Sequence, residues 1–303
     1  MDNQLRMTFV IPTFNRPRML REAVDSCLGQ TVAAEVIVVD HGSSEETQRV
    51  CESLPSAVTV IRREKDSGPI FSWLDGVLHA STDYINLHFD DDLKHPKFAE
   101  ECLKLMRPNV GMVFTQARII DASGTPSSLL LFRNWFPESG VYPSADLSPY
   151  FRKTLVSPCA VVYRRQHLLD ALYVGRLPNQ TFDYHGVGPD LYLQLLAQLN
   201  YPAIGYVSEE LTYFRAHSKS ITIDAKASGR SREFALAYDE VRLAILDVRV
   251  GRLVRKLRFH SGFRFGLRVK RFLRKRLGKA VRRYAVTFRH IFAVVANERR
   301  PNQ

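Results

Sequence analysis

Short apolar runs alternate with segments of helical periodicity over the N-terminal third of the chain. Four runs rich in Val, Ile and aromatic residues predict buried strands: residues 8–11, 35–40, 58–61 and 84–89. Three segments with apolar positions at three- and four-residue spacing predict helices between them: residues 17–28, 45–53 and 69–80. This alternation predicts an α/β fold with a mainly parallel sheet flanked by helices.

The later part of the chain has weaker patterns. Further strands are predicted at residues 111–114, 160–163 and 211–214. A helix is predicted to begin at Asp190, after Gly188-Pro189, and the pattern is helical again from Phe234. Residues 123–157 show no clear period, which is typical of a long functional loop or an insertion. We predict two domains, a catalytic domain over residues 1–230 and a helical extension over residues 231–303.

Charge is distributed unevenly along the chain. The formal net charge is +12, but residues 249–303 hold 18 Lys and Arg against a single acid, Glu298. Residues 1–247 hold 25 bases and 30 acids, so a slightly acidic body carries a strongly basic tail. From Val269 the apolar residues recur at helical spacing between the basic ones. This pattern predicts a basic amphipathic helix.

Three functions of the basic tail are open from the sequence. A helix with one basic and one apolar face can lie in the interface of an anionic membrane, and we favour this interpretation. The same apolar stripe could pack on the catalytic body or on a second subunit. Nucleic-acid binding is the least favoured, because no groove-reading module is recognisable.

The cysteines and the apolar segments exclude several classes of protein. Cys27, Cys51, Cys102 and Cys159 are far apart and form no C-x-x-C pair, so neither a zinc site nor a disulfide framework is predicted. The first apolar stretch ends at Pro12, and this stretch is too short for a signal peptide. No run of about 18 apolar residues predicts a membrane-spanning helix. A cytoplasmic protein with reduced thiols is expected.

Two acidic turns follow predicted strands. Asp40 ends the second strand, and Asp90, Asp91 and Asp92 end the fourth. Ligands of such sheets bind beyond the carboxyl ends of the strands, so both turns are expected to face one crevice. Three adjacent carboxylates repel one another, which indicates a bound cation. A solvated run of charge, and for Asp40 a helix cap, are the simpler alternatives.

Four motifs in this order resemble those of family 2 glycosyltransferases, which have the GT-A fold. They are residues 10–16 (VIPTFNR), Gln30-Thr31, residues 37–43 (IVVDHGS) and residues 90–92 (DDD) followed by Pro96. The resemblance covers roughly residues 7–225. It implies an inverting enzyme that takes a sugar from a nucleotide-diphosphate donor, with a UDP-sugar as the expected donor.

The resemblance also implies which residues bind the donor. Thr13, Phe14 and Arg16 would line the nucleotide pocket, and Asp40 would accept a hydrogen bond from the base or the ribose. The segment around Asp66 and Gly68, after the third strand, is a weaker candidate for the same pocket. An ordinary turn would use the same residue types.

The acidic turn matches the D-x-D element of the family. In this match Asp92 binds a divalent cation, Mg²⁺ or Mn²⁺, and Asp90 faces the ribose. Asp91 supports these two groups from behind or is shared between their roles, and a register in which Asp91 is itself the metal ligand is open. His217, in a segment similar to the family's late Y-R-x-H element, would complete the metal shell or contact the diphosphate, with Arg215 adding positive charge. A purely structural histidine is the alternative.

Asp190 is the candidate catalytic base. The family often has an acid pair before this helix, and here Gly188-Pro189-Asp190 leaves one carboxylate. A second departure is His41, which stands where the family commonly has an acid. Asp190 as a helix cap without a catalytic role is the alternative.

The implied acceptor is a saccharide or a lipid-linked saccharide in cell-surface polysaccharide synthesis, with the enzyme bound peripherally at the inner membrane face. The alternative from another class is a non-catalytic membrane- or nucleic-acid-binding protein on a degenerate GT-A fold. A nucleotidyltransferase is less favoured, because the first strand is not followed by a Gly-rich phosphate loop.

Overall fold

A computed structural model describes residues 6–151, 154–172, 187–217 and 229–258, with side chains of the last helix described to Leu253. The strands are β1 (Met7–Thr13), β2 (Ala34–Asp40), β3 (Val58–Arg62), β4 (Tyr84–Leu87), β5 (Leu93–Lys94), β6 (Val110–Ile120), β7 (Pro126–Leu131), β8 (Gly140–Pro143), β9 (Val161–Arg164) and β10 (Ala203–Arg215). The helices are α1 (Pro17–Leu28), α2 (Glu45–Glu52), α3 (Pro69–His79), α4 (Phe98–Leu105), α5 (Ser148–Phe151), α6 (Arg165–Ala171), α7 (Pro189–Asn200) and α8 (Ser231–Arg258). The predicted α/β class is confirmed.

All ten strands belong to one sheet. Its main path runs β3-β2-β1-β4-β9-β6-β10-β5, with β7 on β6 and β8 on β10. The first four strands are parallel, as the alternating pattern predicts. The later strands are mixed: β9 runs antiparallel to both β4 and β6, while β6 and β10 are parallel. The sheet is therefore parallel only among β1 to β4 and between β6 and β10.

The central strands are covered by helices on both faces, which explains their unbroken apolar runs. Phe9 and Ile11 of β1 belong to the buried core that α1 and α4 cover, together with Val36 and Val38 of β2. The opposite face of β1 meets α3 so closely that Gly76 leaves no room for a Cβ atom against Val10. A strand that is buried on both faces is apolar at nearly every position, so it does not show the alternation of apolar and polar residues that marks a half-exposed strand.

Residues 123–157 contain more regular structure than their pattern indicates. Strands β7 and β8 lie there, with a 3₁₀ turn and the short α5. Aromatic pairs hold this region together: the ring centroids of Trp135 and Tyr150 are 4.5 Å apart, and those of Phe136 and Tyr142 are 4.1 Å apart. Elements of four to six residues are too short to establish a period, and packing between aromatic rings stabilises them instead.

The chain divides into two compact units, residues 1–242 and 243–303, and α8 runs through the division. The amphipathic helix predicted from Val269 lies outside the described residues. No helix that the structure describes is both long enough and apolar enough to cross a membrane.

Candidate active site

The carboxyl ends of three parallel strands bring residues 10–16, residues 37–43 and the acidic turn together. Thr13 at the end of β1 pairs in register with Asp40 at the end of β2. On the other side of β1, Val10 pairs with Leu87 of β4, and the His88 N–H donates to the Val10 carbonyl at 2.9 Å. The crevice expected from the sheet pattern is therefore the place where these residues meet.

Arg16 ties the first motif to the acidic turn. Its Nη1 donates to Asp90 Oδ1 at 2.8 Å and to Asp91 Oδ2 at 2.9 Å. Thr13 Oγ1 donates to Asp90 Oδ2 at 2.8 Å. Asn15 between them has a left-handed backbone, with φ of 56°, a conformation that asparagine tolerates better than most residues. One guanidinium thus offsets part of the repulsion between two adjacent carboxylates.

The end of β10 closes the acidic turn from the other side. His217 Nε2 lies 3.0 Å from Asp91 Oδ2, and the Arg215 N–H donates to Asp92 Oδ1 at 3.0 Å. The Arg215 side chain donates to the Asp91 carbonyl at 3.0 Å and forms an ion pair with Glu22 of α1 at 2.6 Å. The late Y-R-x-H segment therefore contacts the acidic turn directly.

Burial raises the pKa values of two carboxyl groups in this turn. Burial raises the pKa of Asp90 to about 6, although the charge of Arg16 lowers it. Burial and the neighbouring charge of Asp91 hold the pKa of Asp92 well above its usual range, against the lowering effects of the Arg215 N–H and of Lys94. The cations around the turn therefore only partly compensate for the loss of water.

A buried group behind the acidic turn has no counterpart in the sequence analysis. Lys94 is 4% exposed, and its Nζ donates to the Cys159 carbonyl and lies 3.4 Å from Cys159 Sγ. His88 Nδ1 lies 3.2 Å from the same sulfur, and burial holds the pKa of His88 well below its usual range. Lys94 adds a positive charge close to Asp92. Lys94 follows the acidic turn by two residues, and nothing in the sequence indicates that its side chain is buried.

The residues predicted to bind the nucleobase of the donor form a separate wall of the crevice. His41 Nδ1 lies 3.0 Å from Asp66 Oδ1, which also accepts the Gly68 N–H at 2.8 Å. Phe14 is 44% exposed, and its ring centroid is 6.4 Å from that of His41. Gly68 has φ of 87°, and the space where its Cβ would stand is open. The structure therefore brings Phe14, Asp66 and Gly68 together through His41.

Asp40 is deeply buried beside this wall. It is 1% exposed, with Oδ1 accepting the Ser43 N–H at 2.9 Å and Oδ2 accepting from Arg62 Nη1 at 2.5 Å. Ser43 precedes Ser44, the N-cap residue of α2, so Asp40 shapes the turn before this helix but does not cap it. Each carboxylate oxygen has a further lone pair, so the predicted contact with a base or ribose stays a prediction. Arg62 was not identified from the sequence.

Asp190 lies in a different environment, at the start of α7. Its Oδ1 accepts the backbone N–H groups of Gly188 at 2.9 Å and Leu191 at 2.7 Å, and its Oδ2 accepts the Tyr238 hydroxyl at 3.1 Å. Burial raises the pKa of Asp190 to about 6, although these three donors lower it. Among the described residues, no hydrogen bond or ion pair joins Asp190 to residues 90–92. Its role as a base stays a prediction.

The donor set suits a cation that takes some ligands from a substrate. Within the described part of the chain, no three or more His, Cys, Asp or Glu side chains are grouped so that they could hold a metal ion. Of the predicted ligands, Asp92 lies in the acidic turn and accepts the Arg215 N–H, whereas His217 follows β10 and lies 3.0 Å from Asp91. Mg²⁺ is commonly bound through one or two carboxylates plus phosphate oxygens and water. A cation at this turn would therefore need further oxygen ligands, such as those of a diphosphate, to complete its shell.

The fold resembles that of solved TarS structures. TarS of Staphylococcus aureus, residues 1–349 in complex with UDP-GlcNAc, superposes with a TM-score of 0.62 at 17% identity, covering 80% of this chain and 67% of that one. The same TarS fragment with UDP gives a TM-score of 0.56 at 18% identity, covering 81% of this chain and 65% of that one. At this identity the likeness shows a shared fold.

Sequence relatives match over shorter segments. An uncharacterized glycosyltransferase of Haemophilus influenzae is 30% identical over 115 residues, 37% of this chain and 39% of its own length. The 4,4'-diaponeurosporenoate glycosyltransferase of Staphylococcus aureus is 31% identical over 86 residues, 27% of this chain and 23% of its own length. The chain thus spans well under half the length of these relatives. Residues 8–170, more than half of the chain, match the family described as glycosyl transferase family 2, and the chain therefore belongs to glycosyltransferase family 2.

Proposed function

We propose that this protein is an inverting, metal-dependent glycosyltransferase that moves a sugar from a UDP-sugar to a saccharide or lipid-linked saccharide in cell-surface polysaccharide synthesis. The observation that carries the proposal is the meeting of Arg16, Asp90, Asp91 and His217 at the carboxyl ends of the parallel strands. A diphosphate with a bound cation is the ligand that such a mixed group of acids and bases accommodates.

The donor nucleotide is proposed to bind between the two walls of the crevice. The exposed ring of Phe14 offers an apolar face to a base, and Asp66 and Gly68 lie next to it through His41. Arg16 and Thr13 lie between this wall and the acidic turn. UDP as the nucleotide is supported by the TarS structures, which hold UDP-GlcNAc and UDP.

The cation is proposed to be Mg²⁺ or Mn²⁺, held by Asp92 and His217. When bound, it supplies positive charge against the negative charge that develops on the leaving diphosphate. Arg16, already placed by Asp90 and Asp91, adds a second positive charge on the same side. The protein's own contribution is to orient the donor and to keep these charges fixed.

Asp190 is proposed as the base. It accepts the proton of the acceptor hydroxyl as that oxygen bonds to the anomeric carbon and the bond from this carbon to the diphosphate oxygen breaks. Attack from the face opposite the leaving group inverts the configuration. General-base assistance of this kind contributes about 10²- to 10⁴-fold to the rate. The raised pKa of Asp190, about 6, makes it a stronger base than an ordinary carboxylate while leaving it ionised near neutral pH.

Peripheral binding to the inner membrane face is proposed for the basic tail, residues 249–303. Its excess of Lys and Arg supports attraction to anionic lipid, at about 1 kcal/mol per basic residue near the surface. Co-sedimentation of the full chain with vesicles containing phosphatidylglycerol, compared with pure phosphatidylcholine vesicles, tests this. Equal sedimentation with both, or none with either, would count against the membrane and favour the other two functions of the tail.

The donor proposal is tested by calorimetric titration of UDP and GDP, with and without Mn²⁺, into wild type and Asp92→Asn. Asp121→Asn is the matched control, because Asp121 is an exposed acid in the β6–β7 turn. We expect UDP binding that requires Mn²⁺, is lost in Asp92→Asn and persists in Asp121→Asn. Binding that ignores Mn²⁺ would remove the metal from the proposal, and binding of neither nucleotide would overturn it.

A further inference from the structure

The start of α8 packs against the turn that carries Asp190. Val187 forms a small buried cluster with Ala237, and Phe234 and Tyr238 pack against it. Gly188 lies so close to the helix that a Cβ atom there would stand 3.3 Å from Val241 Cγ2. These contacts fix the helix over the turn before any polar contact is considered. All of them lie within the first compact unit.

This packing places the Tyr238 hydroxyl next to the Asp190 carboxylate. The hydroxyl donates to Asp190 Oδ2 at 3.1 Å, while the backbone donors of Gly188 and Leu191 both bind Oδ1. The two backbone bonds fix one oxygen, and the phenol fixes the rotation that remains about the Cβ–Cγ bond. A carboxylate bound in this way presents the second lone pair of Oδ2 in one direction.

We propose that Tyr238 is a positioning residue for Asp190, so that the first turns of α8 form part of the catalytic machinery. This inference rests on the proposed function, in which Asp190 is the base. Tyr238 orients Oδ2 and stabilises the ionised carboxylate that must accept the acceptor's proton. Ordinary packing of α8 requires only the apolar contacts, and a phenylalanine would satisfy them equally well.

The groups that face this pair are few among the described residues. Tyr163 of β9 lies close enough to Asp190 for its pKa to be raised by the carboxylate as well as by burial. Burial and the charge of Asp190 raise the pKa of Tyr238 too, while Arg242 on the next turn of α8 lowers it. Both phenols are therefore neutral throughout the range in which Asp190 titrates. A change in that titration reports on the hydrogen bond itself.

The test is a pH titration of the full chain labelled with ¹³C at the aspartate carboxyl carbons, in which the Asp190 resonance is identified by its loss in Asp190→Asn. In wild type we expect a midpoint near pH 6. In Tyr238→Phe the midpoint rises by about 0.5 to 1 unit, because a donor to the charged form is lost. Tyr142→Phe is the matched control, since it removes a hydroxyl that donates only to the exposed Glu138 carbonyl.

A rate measurement separates this inference from the proposed function. The release of UDP from UDP-GlcNAc is followed against pH, and the acidic limb of the kcat profile is expected to move upward with the carboxyl midpoint. An unchanged midpoint in a folded Tyr238→Phe overturns the role of Tyr238. A shifted midpoint without any loss of UDP release in Asp190→Asn overturns the base assignment instead. If Tyr238→Phe does not fold, the wild-type Tyr238 ¹³Cζ resonance must follow the Asp190 titration, and its failure to do so also overturns the inference.

Discussion

The acidic turn, residues 90–92, and the Asp190 turn, residues 187–191, hold buried carboxylates in opposite ways. In the acidic turn Asp90 and Asp91 share a guanidinium, and Asp91 also contacts a histidine. Asp190 is held by two backbone N–H groups and a phenol, all of them neutral. Carboxylates paired with cations suit the binding of further charge, whereas a carboxylate held by neutral donors can take up a proton without breaking an ion pair.

The strongest way to sharpen this comparison is Asp190→Asn. We expect UDP release from the donor to fall about 10²- to 10⁴-fold, because the proton acceptor is lost, while UDP affinity is unchanged. Rate assays and calorimetry on the same preparation measure both. Asp170→Asn, an exposed acid on α6, serves as control. Loss of UDP binding in Asp190→Asn would mean that Asp190, like the acidic turn, is needed to bind the donor, and the two regions would then not differ in role.

Arg16→Met breaks the other side of the comparison. It leaves Asp90 and Asp91 without their shared cation, and we expect the free energy of unfolding to fall by about 2 to 3 kcal/mol. Urea denaturation measures this. Arg18→Met is the matched control, because Arg18 is a largely exposed arginine in the first turn of α1, two residues after Arg16, and lies 3.6 Å from Glu22. Similar midpoints for both variants would show that Arg16 is not needed to hold the turn.

The contribution of Asp190 to the pH dependence of stability is isolated by comparing Asp190→Asn with wild type. The pKa of Asp190 is raised to about 6 in the fold, so the folded state binds this proton more tightly than the unfolded state. The cost of ionising it is absent below about pH 4 and complete above about pH 6. We therefore expect Asp190→Asn to gain about 2 kcal/mol relative to wild type between pH 4 and pH 7.5. Urea denaturation at several pH values measures the free energy of unfolding of both proteins. If the two plots of this free energy against pH run parallel, the pKa of Asp190 is not raised.

Gly188→Ala is expected to have the smallest effect. A side chain at φ of 105° is strained, and its Cβ would press on Val241, so we expect a loss of about 1 kcal/mol. Gly251→Ala in α8 is the control, since its Cβ would meet open space and alanine favours helix. Thermal unfolding of both variants measures the difference. A Gly188→Ala protein as stable as wild type would mean that the turn can move away from α8.

The regions predicted well from the sequence share one property, a local pattern. Strands β1, β2 and β4 follow from apolar runs, because a strand buried on both faces leaves no polar position. The edge strand β3 also has an apolar run, although most of its side chains are exposed. The place of residues 90–92 at the end of β4 follows from chain order alone. The sequence pattern predicted no strands or helices within residues 126–151, since the strands there are short and depend on aromatic packing such as that of Trp135 on Tyr150.

The candidate site was only partly predictable for the same reason. Arg16 and Asp90 are assigned to one pocket by the motif resemblance, but their direct ion pair is seen only in the fold. Lys94 carries no signal of burial in the sequence, yet it lies beside Cys159 under the acidic turn. Tyr238 falls in the predicted C-terminal extension rather than in the predicted catalytic domain, so nothing in the sequence connects it with Asp190.

The sequence by itself determined the α/β class, the family and the positions of the acidic turns, because periodicity and motif spacing are properties of neighbouring residues. The tertiary structure alone decided the partner of each carboxylate: Arg16 and His217 at the acidic turn, Arg62 at Asp40 and Tyr238 at Asp190. Hydrogen bonds and ion pairs act over about 3 Å, and only folding brings residues distant in the chain within that distance.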